Sequence, residues 1–126
     1  MINGNLEDFL DTGWYMESTL FYHGYVYWCE GYTEPDTEIS TFFVDSWRAK
    51  CEDNKFYHEY RTTKNELLDE KRVFEEYGPD MDLLKKHFLE AKIFDGKSFW
   101  EVEKNLIWVD EDTPIYVKDG AADAGL

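Results

Sequence analysis

The stretch from residue 14 to residue 32 most constrains what this chain can become. It is filled with aromatic and β-branched residues and is interrupted by His23-Gly24. Such residues fit a pleated, half-buried surface, and an X-Gly pair between two such runs is the turn of a β-hairpin. Strands are therefore expected at about 14–22 and 25–32. Residues 33–38 contain Pro35-Asp36 and read as a loop, after which 39–50 make a third strand with Phe43, Trp47, Ala49 and Cys51 at alternating positions. Glu52-Asp53-Asn54 is the next turn, and 56–61 run back as a fourth strand. The first half reads as an antiparallel meander over residues 14–61 with large side chains on both faces.

Helical spacing appears on either side of the meander. Residues 5–12 place Leu6, Phe9 and Leu10 on one side, with Asn5 as N-cap, Glu7 and Asp8 in the first turn and Gly13 as the stop. Residues 65–77 read as a helix, because Leu67, Val73, Phe74 and Tyr77 share a side of a helical wheel with Glu66 and Glu70. Pro79 then precedes Asp80 as N-cap of a cleaner helix that carries Met81, Leu84, Phe88 and Ala91 on one face and stops at Asp95-Gly96. Ser98 with Glu101 is the capping-box pattern for a short turn of helix at 98–104. Residues 106–109 and 115–117 read as short strands around an acidic turn. The expected architecture is α+β: an antiparallel sheet of about four strands, two to three helices packed on it and a short C-terminal hairpin. Residues 1–118 are expected to form one domain, with 119–126 as a flexible tail.

Charge limits what such a domain can bind. The chain has 28 Asp plus Glu against 13 Lys plus Arg, a net charge of −15, and the excess is spread: 4 basic against 12 acidic residues up to Thr63, and 9 against 16 beyond it. Direct binding of nucleic acid is disfavoured, because affinity for a phosphate backbone comes from Lys and Arg. Aromatics at 18% are too many for a disordered acidic tail. No apolar run approaches the ~18 residues of a membrane span, and residues 1–7 lack the basic start and apolar stretch of a secretory signal, so a cytoplasmic location is expected.

The sequence carries no catalytic signature. His23, Cys29, Cys51, His58 and His87 stand at no zinc spacing, and the two cysteines form no CxxC pair and read as buried thiols. Neither GxSxG, HExxH, GxGxxG nor GxxxxGK[ST] occurs, so no enzyme activity, metal or cofactor is expected. Carboxylates at glycosidase-like separations arise by chance among so many acids, whereas Trp and Tyr beside carboxylates also suit a carbohydrate platform.

Three acidic groups remain. The first is Glu30, Glu34, Asp36 and Glu38, with Tyr32 as an aromatic neighbour. The second is Glu66, Asp69, Glu70, Glu75 and Glu76. The third is Glu101, Glu103, Asp110, Glu111 and Asp112. The net charge exceeds the magnitude of about 2–8 that solubility asks of a small domain, which points to repulsion kept for a purpose. Small size, strong acidity and no enzyme motif resemble the anti-CRISPR and anti-restriction inhibitors of phages and mobile elements that mimic DNA. The likeness is one of overall character rather than of a shared motif. It implies a non-enzymatic inhibitor in the bacterial cytoplasm, monomeric or homodimeric. Its partner would be a basic nucleic-acid-binding protein, most concretely a CRISPR effector nuclease, with the first two acidic groups as contacts. The alternatives are an immunity protein that neutralises a toxin nuclease, and a small carbohydrate-binding or carboxylate-dependent enzyme using His58 or His87.

Overall fold

A computed structural model of the chain describes residues 1, 4–10, 15–52, 55–57, 64 and 66–109. Strands β1 (Tyr15–Tyr22) and β2 (Tyr25–Thr33) form the hairpin implied by His23-Gly24. Both turn residues have positive φ, 51° and 82°, the pair of values a type I′ turn needs to follow the twist of its strands. Strand β3 (Ser40–Arg48) pairs antiparallel with β2. The loop between them is closed by the Glu34 N–H on the Ile39 carbonyl (2.9 Å) and the Glu38 N–H on the Glu34 carbonyl (2.8 Å).

Beyond β3 the meander does not continue as the sequence implies. Strands β4 (Lys50–Glu52) and β5 (Lys55–Tyr57) pair, among the described residues, with each other in a separate two-stranded sheet, and residues 58–61 lie outside the described residues. The position beside β3 is taken by β6 (Lys71–Gly78), which replaces the helix expected over 65–77. Val44 faces Phe74 but its neighbour Asp45 faces Arg72, so Val73 is one residue too many, a β-bulge. Val73 and Phe74 both pack against the helix-side core, and that consecutive apolar pair breaks the two-residue period of a strand. Strand β7 (Ile107–Val109) pairs with β1, and residues 115–117 of the expected C-terminal hairpin and 119–126 of the expected tail lie outside the described residues. The result is a five-stranded, wholly antiparallel sheet in the order β6-β3-β2-β1-β7.

The helices start where their caps indicate. For α1 (Leu6–Leu10) the Asn5 side chain accepts from the Asp8 N–H at 2.8 Å. For α2 (Met81–Glu90) the Asp80 carboxylate accepts from the Asp82 and Leu83 N–H groups. For α3 (Phe99–Val102) Ser98 and Glu101 make both bonds of a capping box. Because β6 and β7 are opposite edges of the sheet, the chain between them must cross one whole face, about 19 Å over four strand spacings, and it carries α2 and α3 there.

Under the helices the core is built of rings. Phe88 is fully buried, with the rings of Phe9, Phe42, Phe74, Phe94 and Phe99 centred 5.0–6.2 Å away. Lys85, also buried, directs its ammonium onto the Leu10 carbonyl at 2.7 Å and so ties α2 to the C-terminal end of α1. Cys29 is the buried strand thiol expected, with burial pushing its pKa up. The opposite face carries a smaller cluster, Phe21, Val26, Trp47, Ala49 and Ile107 with Trp28 and Leu67 against it, at the end near the His23-Gly24 turn. A hydrogen bond from the Arg48 N–H to the Leu68 carbonyl (2.9 Å) holds the Leu67 segment there. Among the described residues no such cluster covers the other end of that face. Among the described residues no helix is long and apolar enough to cross a membrane.

Candidate binding surface

Alternation along each strand, combined with the register, defines the open end of the sheet. Tyr15 and Glu17 of β1 stand opposite Tyr32 and Glu30 of β2, these opposite Thr41 and Phe43 of β3, and these opposite Tyr77 and Glu75 of β6. Four strands thus supply two rows of side chains across about 14 Å. Tyr77 and Tyr15 are 61% and 42% exposed, and Ile39, from the adjoining loop, is exposed as well.

Each exposed phenol is fixed by a carboxylate. The Tyr15 hydroxyl donates to Glu17 and reaches Glu30 at 3.4 Å; the Tyr77 hydroxyl donates to Glu75 at 2.7 Å. The bond to Glu17 is the largest cause of a Tyr15 pKa pushed up to about 12, and the bond to Glu75 raises that of Tyr77. The rings are thereby held among the acids while the carboxylates keep lone pairs for further donors. Among the described residues Arg72 supplies the one local cation of the face. Its guanidinium forks onto Asp45 at 2.8 and 3.1 Å, contacts Glu75 and lies 4.1 Å above the Phe43 ring centre. These bonds raise the Arg72 pKa, and hydrogen bonds from Tyr77 and Arg72 hold the Glu75 carboxyl below its ordinary value.

Glu17 and Glu30 are treated differently. They are direct cross-strand partners, and among the described residues no Lys, Arg or His pairs with either. Like charges directly opposite one another in a sheet are destabilising. Folding alone does not ask for this arrangement.

Of the contact residues expected from sequence, Glu30, Tyr32 and Glu75 fall on this face, and Glu34, Asp36 and Glu38 are exposed on the loop at its rim. Glu66, Asp69 and Glu70 are exposed but precede β6, at the other end of the sheet and on no helix. Glu76 points to the helix-covered face and bonds His87 Nδ1. Asp110, Glu111 and Asp112 lie outside the described residues, as does His58. Tyr15, Glu17, Asp45, Arg72 and Tyr77 were not singled out by sequence. Their shared place depends on strand register, which no local pattern states. Among the described residues no group of three or more His, Cys, Asp and Glu side chains converges to hold a metal ion.

No protein-family model, no curated protein and no solved structure matches the chain.

Proposed function

We propose that the protein is a non-enzymatic inhibitor that lays the open, acidic end of its sheet into a basic nucleic-acid-binding groove of a bacterial defence nuclease, as DNA-mimicking anti-CRISPR proteins do. One observation carries the reading: Glu17 faces Glu30 with no Lys, Arg or His among the described residues paired to either, beside the exposed Tyr15 ring. A neutral ligand such as a sugar can donate hydrogen bonds there but brings no positive charge to offset that repulsion, whereas a row of Lys and Arg does. Tyr15 and Tyr77 supply the aromatic anchors that rim charges do not, and a net charge of −15 steers a basic partner toward contact. The choice of a defence nuclease rests on the likeness in size and charge. A toxin nuclease blocked by an immunity protein would meet the same surface.

The test is capture of CRISPR effector nucleases from bacterial lysate, with and without guide RNA, at low and then high salt. The wild-type chain is expected to retain a nuclease that salt or competing DNA releases. Glu17→Lys with Glu30→Lys, and separately Tyr77→Ala, are expected to lose it. Glu70→Lys with Glu90→Lys, away from the face, is expected to keep it. Equal capture by the Glu17→Lys, Glu30→Lys chain, or no nuclease retained at all, defeats the reading.

A further inference from the structure

On the helix-covered side of the sheet, at the end opposite the acidic face, lies a cleft of about 710 Å³. That volume is within the ~300–1,000 Å³ of small-molecule sites. Its floor is one row across three strands, Tyr27 of β2, Ser46 of β3 and Lys71 of β6, with Tyr25 beside it. The bulge residue Val73 lines it from the edge strand. The segment after α2 contributes Lys92, Ile93, Asp95 and Gly96. The rim is made by two tight turns, His23-Gly24 and Asp95-Gly96. All four of these residues have positive φ, and His23 Nδ1 lies 3.6 Å from an Asp95 carboxylate oxygen.

The charge of this cleft inverts that of the chain. Among the described residues Lys71 and Lys92 line it against a single carboxylate, Asp95, in a protein where acids outnumber Lys plus Arg by 28 to 13. Among the described residues neither lysine forms an ion pair, although carboxylates are abundant. Tyr27 is buried and hydrogen-bonded to Ser46, and burial raises its pKa, so its phenol stays a neutral hydrogen-bonding group. Two ammonium groups arriving from separate elements suit a phosphate monoester, which carries about −1.5 to −2 charges at neutral pH, better than a single carboxylate. Tyr25, Val73 and Ile93 offer an aromatic and aliphatic wall for a flat body attached to it.

We infer that this cleft binds a small organic phosphate carrying a ring, with Lys71 and Lys92 on the phosphate and Tyr25, Val73 and Ile93 against the ring. The site is on the other face of the sheet from Glu17 and Glu30 and does not depend on what those residues bind.

The experiment is an amide-resolved NMR titration of the full chain with adenosine monophosphate, adenosine and orthophosphate as separate probes. Adenosine monophosphate is expected to saturate with shifts concentrated at residues 23–27, 71–73 and 92–96, orthophosphate to bind the same amides more weakly, and adenosine to bind weakest. Lys71→Gln and Lys92→Gln are each expected to weaken adenosine monophosphate binding, and together by about tenfold or more. Lys104→Gln, which removes a lysine outside the cleft, is expected to leave it unchanged. The inference is overturned if adenosine monophosphate gives no saturable shifts there at millimolar concentration, if adenosine binds as tightly, or if the lysine variants bind as the wild type does. The three probes on the wild-type chain decide the matter even where a variant fails to fold.

Discussion

On the helix-covered face of the sheet Phe42, Phe74 and Tyr27 close with α2 and α3 around rings that touch mostly other rings, whereas on the open face Tyr15, Tyr32, Phe43 and Tyr77 stand among carboxylates. Both faces are aromatic, so composition does not tell them apart. What separates them is where the acids go. Glu76 is the exception on the covered face, and there it meets His87; on the open face Glu17 meets Glu30 instead. The covered face spends its aromatics on stability, and the open face tolerates a repulsion that stability alone would remove.

The contrast can be broken most forcefully at Phe88. Phe88→Ala removes the ring that five others surround and is expected to cost about 3–5 kcal/mol in denaturant unfolding, a large share of the stability of a small domain. Tyr77→Ala on the open face is expected to change stability by no more than ~0.5 kcal/mol. Comparable losses at the two positions would mean that the open face is also a core, covered in solution.

Much of the covered face was legible in the sequence. The His23-Gly24 turn, the Asp80 cap and the Ser98–Glu101 capping box are local signals, and each marks the element it marks in the structure. The segment 65–77 misled for a physical reason: the bulge at Val73 puts neighbouring apolar residues on one side, so a strand loses its alternation and fits a wheel. The open face was legible only in part, at Glu30, Tyr32 and Glu75. It is assembled from β1, β2, β3 and β6, whose pairing spans the sequence from Tyr15 to Tyr77, and its central feature is a register between Glu17 and Glu30 that neither residue encodes alone.

A smaller effect sharpens the comparison. Glu30→Gln removes one of two facing charges while leaving the Tyr15–Glu17 bond in place, and is expected to raise stability by roughly 0.2–1 kcal/mol in low salt, less in high salt. The same change is expected to weaken capture of a basic partner. A variant that is destabilised instead would show that the pair is held favourably by the Tyr15 hydroxyl.

The smallest effect is one of pH. Tyr15 is raised to about 12 chiefly by its bond to Glu17, whereas Tyr27 is raised chiefly by burial. An unfolded tyrosine titrates near 10. Because the folded value is the higher one, Tyr15 stabilises the fold fully below about pH 10 and loses that contribution as pH climbs toward about 12. Absorbance titration at the phenolate band, compared with Tyr15→Phe, is expected to show late ionisation that Glu17→Gln moves back toward 10. Tyr27 is expected to be insensitive to that substitution. Glu75 acts in the opposite sense: its lowered pKa stabilises the fold above the ordinary carboxylate range and is lost on acidification.

Arg72 shows what this face does with a guanidinium. There a ring lies beneath the cation, a carboxylate grips it with both oxygens, and a second carboxylate, braced by a phenol, closes the side. Toward β1 the same parts recur as Tyr15, Glu17 and Glu30, assembled around no arginine of the chain's own among the described residues. If the proposed function holds, an arginine from the partner is expected at this second phenol-and-carboxylate group, where two acids and a phenol stand as Asp45, Glu75 and Tyr77 do around Arg72.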